Sequence, residues 1–340
     1  MRSAKTSDTD DLIQKENLNM NSFLNPVSPF DAPDPCIVYD SVTEYYYALH
    51  TSNNLTIYRS KHLADIMSNG ESRVIYEPNG ERDGIWGDIW APELHRGKDG
   101  CWYIFTSGRI TREPGEKRIF VMKALSDDPF GEWEFKGKPF GSTFSIDPTF
   151  YVDSNEKQYI CYSKVDVRYG QVLEICEMVT PYSYVIKKAM IAKAELEWEL
   201  VEPYVGTHTI LEGAYFLERN GRLFLIYSAN GCWSNYYALG VLEFMGGDMC
   251  NANCWKKHPE PLMTFGNGVY GPGHATFFES PDGKEIWCAY HGMKQSNDTV
   301  TPAARFLNVQ KVDFDESGYP IMGKPVGYET PMIPPSGEKK

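Results

Sequence analysis

Asp147-Pro-Thr-Phe-Tyr-Val-Asp153-Ser-Asn-Glu-Lys-Gln-Tyr-Ile-Cys-Tyr162 is the stretch on which the reading of the chain turns. Two short runs rich in β-branched and aromatic residues flank a polar turn, the pattern of a β-hairpin. The pattern recurs as Asp34-Pro-Cys-Ile-Val-Tyr-Asp40, Trp90-Ala-Pro-Glu-Leu-His-Arg96, Glu212-Gly-Ala-Tyr-Phe-Leu-Glu218 and His274-Ala-Thr-Phe-Phe-Glu-Ser280. Each copy opens on a chemically loaded residue, reaches a polar turn six positions later, and passes into an aromatic-rich run. The heads at 34, 90, 147, 212 and 274 are separated by steps of 56, 57, 65 and 62 residues. A fixed period of this length is a structural repeat.

Within each unit two weaker strand patterns follow the hairpin, and helical periodicity is nearly absent apart from one short turn expected at Ser60–Met67. Four short strands repeated five times predict an all-β chain, a five-bladed β-propeller in a single domain. Its expected limits are residues 26–329. A polar arm with one short helix around Asp11–Leu18 is expected over residues 1–25, and a disordered proline-containing tail over 330–340.

The formal net charge of −13 disfavours a nucleic-acid partner, because a phosphate backbone would be repelled. No apolar run approaches the 18 or so residues of a membrane span. Of the eight cysteines, Cys36, Cys101, Cys161 and Cys288 fall inside apolar strand runs, where a thiol packs as a small hydrophobe. Unpaired thiols and an N-terminus without an apolar signal core give a cytoplasmic location as the expectation. The sequence leaves the oligomeric state open.

In a propeller, equivalent positions of the innermost strands converge on one end of the central channel, so the heads predict a site. Asp34, Asp147 and Glu212 would meet there beside Trp90 and His274. A single Asp before Pro is ordinary turn chemistry. Three carboxylates among five convergent heads repel one another, which calls for a functional reason. Paired carboxylates of unequal pKa are the working parts of glycoside hydrolysis. A binding propeller is the alternative from another class, but it has no need of axial carboxylates.

Asp31-Ala-Pro-Asp34-Pro, Trp90-Ala-Pro-Glu-Leu, Ser145-Ile-Asp147-Pro-Thr, Ile210-Leu-Glu212-Gly-Ala and Gly271-Pro-Gly-His274-Ala together resemble the ordered blocks of glycoside hydrolase family 43 over residues 25–325. One departure is Ala214, where the family's general-acid block more often carries proline. The resemblance implies an inverting hydrolase with Asp34 as general base, Asp147 as the residue that orients the acid and tunes its pKa, and Glu212 as general acid. It implies that His274 faces a channel cation, usually Ca²⁺, and that Arg305 reaches a sugar hydroxyl. Trp90, then Trp86 and Trp233, are the expected sugar-stacking platforms. The chain looks most like the exo-acting α-L-arabinofuranosidases of the family, with arabinan, arabinoxylan or derived oligosaccharides as substrate. β-D-Xylosidase is the runner-up, followed by endo-arabinanase.

Overall fold

The computed structural model describes residues 22–339, apart from 141–143, 202–208, 298 and 300–302. Five antiparallel sheets of four strands each follow one another along the chain, every sheet ordered as a simple meander. The inner strands are Cys36–Asp40, Trp90–Arg96, Ile146–Val152, Leu211–Arg219 and Tyr270–Glu279. Each packs against the inner strand of the next blade, and the fifth packs against the first, so the ring closes as the five-bladed propeller expected from the repeat.

The second strand of each blade shows why these sequences read as nearly continuous apolar runs. In Arg222–Ala229, Leu223, Leu225 and Tyr227 enter the apolar wedge shared with blade three, while Phe224 and Ile226 enter the wedge shared with blade five. Successive side chains of a strand point to opposite faces, and here both faces are buried. Five such wedges, one between each pair of neighbouring blades, make up the core. At roughly 1.5–3 kcal/mol for each fully buried large aliphatic or aromatic side chain, the wedges hold adjacent blades in register and thereby fix where the strand ends lie.

The turns follow the predicted chemistry. Arg219 pairs with Arg222, leaving Asn220-Gly221 as a two-residue hairpin loop with φ of 52° and 73°. The helical turn expected at Ser60–Met67 is a 3₁₀ segment, Leu63–Asp65. Among the described residues no helix is long and apolar enough to cross a membrane.

The termini depart from expectation. The helix anticipated at Asp11–Leu18 lies outside the described residues. Residues 330–339, expected to be disordered, are seated across the seam between blades five and one. Phe23 and Met332 exchange backbone hydrogen bonds at 2.9 Å, and Ser336 Oγ donates to Asp282 of blade five. Glu338 Oε2 accepts the Leu63 N–H of blade one at 3.1 Å. The segment is ordered by polar anchors that mature only in the closed ring, so its own composition gives no sign of them.

Candidate active site

The inner strands run away from the end of the channel at which they start, and that end carries the site. Asp34, Ala91, Asp147, Gly213 and His274 all have left-handed φ, at 53°, 45°, 53°, 55° and 50°. These five are the structurally equivalent positions. The repeat heads are therefore displaced by one residue in two blades: Ala91 rather than Trp90, and Gly213 rather than Glu212, match Asp34, Asp147 and His274. Proline follows Asp34, Ala91 and Asp147, and a residue before proline is disfavoured in the right-handed helical region. Pairing to the second strand slips in register close to this point in blades two to five. The left-handed turn costs about 1–3 kcal/mol at each non-glycine residue, and it tips the side chain out of the strand into the channel mouth. Gly213 is required for a further reason: a Cβ there would lie 2.9 Å from His274 Cγ.

A cavity of about 260 Å³ occupies this end, lined among others by Asp34, Asp147, Glu212, His274, Arg305 and Trp233. Asp34 is the most heavily braced. Thr51 Oγ1 donates to its Oδ2 at 2.6 Å, and Arg305 Nη1 and His274 Nδ1 each lie 3.2 Å from Oδ1. The Thr51 hydroxyl in turn accepts the Ala91 N–H at 2.8 Å, tying blade one to blade two. Burial would raise the Asp34 carboxyl, but Arg305 and His274 outweigh it and hold it well below the usual carboxylate range.

Asp147 and Glu212 go the other way. Burial is the largest cause for both, and neighbouring carboxylates add to it against the pull of His274. Asp147 is pushed up to about 8. Glu212 is also raised, though less freely, because Gln171 Nε2 donates to its Oε2 at 2.8 Å and Tyr237 Oη to its Oε1 at 3.0 Å. The two carboxyls behave as a pair that retains a shared proton into the neutral range. Asp147 Oδ2 also accepts the Gly213 N–H at 3.3 Å, which sets it against the strand that carries Glu212.

His274 is buried, which disfavours its charge, yet the three carboxylates raise it to about 9. Charges therefore balance near pH 7. Asp34 and the singly protonated pair contribute two negatives, and His274 and Arg305 two positives. Of the His274 ring, Nδ1 lies against Asp34 Oδ1, and among the described residues no group of three or more His, Cys, Asp or Glu side chains is arranged to hold a metal.

Of the tryptophans expected to stack on sugar, Trp90 and Trp233 line the cavity and Trp86 does not. Trp86 sits on the rim, with its ring under Arg112 at 4.6 Å and its carbonyl accepting from Arg109 Nη2. Its closeness to a Gly-Asp turn in sequence places it in the loop but not in the cavity wall. Trp90 has one face covered by the Lys117 ammonium, 3.7 Å from the ring centroid. Lys117 is itself fixed by Asp88 Oδ2 at 3.1 Å.

Four further contributors are absent from the sequence reading: Thr51, Gln171, Tyr237 and His291. Each stands at or just beyond the end of a second strand, or at or just before the start of a third, and those positions return to the same end of the channel. His291 Nδ1 accepts the Asp34 N–H at 3.1 Å, and burial lowers its pKa to about 4, so the ring is neutral. It stacks on Tyr237 with centroids 5.3 Å apart and planes within 6°. The Tyr237 ring also bears on Gly273, where a Cβ would come within 2.3 Å of it. Glu212, Tyr237, His291 and Asp34 thus form one continuous packed path.

The arrangement matches a known group of enzymes. Residues 23–320 match the model of glycosyl hydrolases family 43. The chain belongs to this family. It is accordingly a glycoside hydrolase acting on a carbohydrate, and its family fellows invert configuration at the cleaved centre. An "Extracellular exo-alpha-(1->5)-L-arabinofuranosidase" of Streptomyces chartreusis is 31% identical over 283 residues, covering 78% of this chain and 82% of that one. A protein of the same name from Streptomyces avermitilis is 29% identical over 90% of this chain, which spans only 64% of that relative's length. Among solved structures, the α-L-arabinofuranosidase from Lactobacillus brevis superposes with a TM-score of 0.81 at 28% identity, covering 91% of this chain and 98% of the other.

These names correct the cytoplasmic expectation, since two of the relatives are called extracellular. The cysteines are indeed unpaired. A buried thiol packs as a small hydrophobe in any compartment, so its redox state was a poor guide to location.

Proposed function

We propose that the protein removes terminal α-L-arabinofuranosyl units from arabinose-containing oligo- or polysaccharides, with inversion. Asp34 is the general base, Glu212 the general acid, and Asp147 the residue that keeps the acid protonated. The observation that carries this reading is the split in ionisation. Asp34 is held as a carboxylate by Arg305 and His274, while Asp147 and Glu212 hold a proton in the same cavity. Environments that push neighbouring carboxyls apart assign the base and the acid.

In the reaction Glu212 gives its proton to the glycosidic oxygen as the bond to the anomeric carbon lengthens. Asp34 takes a proton from a water that attacks the opposite face, and the new C–O bond forms with inverted configuration. Tyr237 and Gln171 then stabilise the Glu212 carboxylate that is left. Asp34 releases the proton it took from water and Glu212 regains one from solvent, which closes the cycle. The cavity of about 260 Å³ holds roughly nine waters at about 30 Å³ each, which suits one pentosyl ring rather than a threaded chain and favours release of terminal units. The arabinose assignment follows the names of the relatives.

The test is a parallel assay on nitrophenyl α-L-arabinofuranoside and nitrophenyl β-D-xyloside, with the anomer of the first-formed product read by NMR. Turnover of the arabinoside with inversion is expected. Turnover of the xyloside alone would replace the substrate, and retention would overturn the roles of Asp34 and Glu212.

A further inference from the structure

Among the described residues, five aromatic side chains are more than a third exposed: Phe30, Trp90, Tyr169, Tyr236 and Phe265, at 37–47%. All five lie at the end of the propeller that carries the catalytic cavity. Phe30, Trp90 and Phe265 precede or open an inner strand, while Tyr169 and Tyr236 sit between the second and third strands of their blades. The exposed large side chains of the opposite end are aliphatic, among them Val42, Leu125, Val179 and Met245. Aliphatic side chains such as Val167 and Leu200 are exposed at the cavity end as well, so it is the aromatics alone that gather at one end, which a surface for general protein contact has no reason to do. A sugar does discriminate, because its C–H face stacks on a flat ring and gains little from an aliphatic side chain.

Two of the five form a pair next to the cavity. Tyr236 meets Phe265 edge to face with centroids 6.1 Å apart, and Phe265 stacks on Tyr270 at 6.5 Å and 10°. Tyr236 shares its loop with Trp233, which lines the cavity. That loop is held stiffly. The Tyr236 N–H donates to Ser234 Oγ at 2.9 Å, and its carbonyl accepts from Asn230 Nδ2 at 3.0 Å. Asn235 Nδ2 donates to Ser296 Oγ at 2.8 Å, and the Gly271 N–H donates to the Asn235 carbonyl. Lys324 Nζ donates to the Phe265 carbonyl at 2.9 Å and lies over the ring, 5.4 Å from its centroid. Backbone fixed on several sides, with rings left in solvent, is a preorganised platform that loses little entropy on binding.

We propose that Tyr236 and Phe265 form a binding strip for the part of an oligosaccharide that remains outside the cavity, on the leaving-group side of the scissile bond. The proposal rests on the arabinoside reading above. The terminal unit fills the cavity beside Trp233, and the following units run outward over the seam between blades four and five. The enzyme would then favour chains over small glycosides, with selectivity arising from the strip rather than from the catalytic groups.

The experiment compares kcat/KM on linear arabino-oligosaccharides of two to five units with kcat/KM on nitrophenyl α-L-arabinofuranoside, for wild type, Tyr236→Ala, Phe265→Ala and Tyr236→Phe. In each alanine variant the oligosaccharide-to-aryl ratio is expected to fall about three- to tenfold, with the larger loss on longer chains. Tyr236→Phe, which keeps the ring, should retain the wild-type ratio. Circular dichroism and thermal melts verify that each variant is folded. A ratio unchanged in both alanine variants, or a loss independent of chain length, would overturn the strip. A wild-type enzyme inactive on the aryl arabinofuranoside would instead overturn the underlying reading, and the strip with it.

Discussion

The two mouths of the axial channel are built from the same inner strands and differ in nearly everything that bears on chemistry. The mouth opposite the carboxylates opens into the larger space, about 410 Å³ against about 260 Å³. It also holds ionisable side chains, among them His95, Arg96 and Glu218. Those charges have partners that satisfy them. His95 Nε2 meets Glu93 Oε2 at 2.6 Å, Arg96 Nη2 meets Asp40 Oδ1 at 3.1 Å, and Glu218 accepts from Tyr151 Oη at 3.1 Å. No inner-strand residue at that end has left-handed backbone. At the other mouth the backbone turns left-handed in every blade, and three carboxylates share too little positive charge for all to ionise. Cavity size therefore points the wrong way here, and strain with unresolved charge points the right way.

The sharpest way to break this contrast is to remove one acidic group from each mouth. Glu212→Ala and Asp34→Ala should each lower kcat on an unactivated arabino-oligosaccharide by about 10²–10⁴, with the fold kept. Glu93→Gln, which preserves shape and a hydrogen bond to His95, should leave kcat/KM close to wild type while lowering the thermal midpoint. Wild-type turnover in either catalytic variant, or a comparable loss in Glu93→Gln, would show that the two mouths are not functionally distinct.

A second distinction is in pH. Asp34 has a lowered pKa, so the base stays ionised until pH falls below the ordinary carboxylate range, and kcat/KM should show no acid limb near pH 5. The Asp147–Glu212 pair is raised, so the proton needed for catalysis is present at low pH and lost on the alkaline side. Deprotonation of His274, raised to about 9, strips away a neutralising charge in the same direction. Asp147→Asn removes the negative neighbour that helps hold the proton on Glu212. Its residual activity should therefore decline at lower pH than that of the wild type. A limb that stays in place or moves up would exclude Asp147 as the residue that raises the acid.

Much of this was legible in the chain because a repeat projects sequence order onto space. Asp34, Asp147 and His274 could be brought together from spacing alone, while Trp233, expected to stack on sugar, and Arg305, which the resemblance aims at a sugar hydroxyl, both line the cavity. Trp90 and Glu212 were placed at the right mouth but in the wrong register, since chemical prominence marked the head where the residue before proline marks the bend. Trp86 shows the limit of loop proximity. Thr51, Gln171, Tyr237 and His291 went unseen because they come from second and third strands, where a polar residue at an apolar run's end resembles any turn residue. The ordered tail was invisible for a related reason: its partners, Asp282 and Leu63, lie in other blades.

Those unseen residues give a smaller, more discriminating test of how the active mouth is held. Tyr237→Phe removes the hydroxyl that donates to Glu212, and Thr51→Val removes the one that donates to Asp34. Each should cost about five- to tenfold in kcat, but in different ways. Loss in Tyr237→Phe should change with the leaving group of an aryl arabinofuranoside series, because it perturbs the acid. Loss in Thr51→Val should be uniform across the series, because it perturbs the base. Identical dependence in both variants would mean that the hydroxyls serve packing alone.

The smallest expected effect belongs to the quiet end. The tail crosses the seam between blades five and one on the side away from the cavity, where Ser336 reaches Asp282 and Glu338 caps the Leu63 N–H. The ring has only this seam to open, because every other pair of neighbouring blades is joined by continuous chain. Near the cavity the seam is held by Val27 and Ala32, whose N–H groups donate to the carbonyls of Leu307 and Arg305. Glu338→Ala should therefore cost about 1 kcal/mol, read as a lower denaturation midpoint, with kcat/KM and its pH dependence unmoved. If the variant instead altered the pH profile, the far end of the seam would be coupled to the carboxylates, and the separation of a structural mouth from a catalytic one would fail at its most distant point.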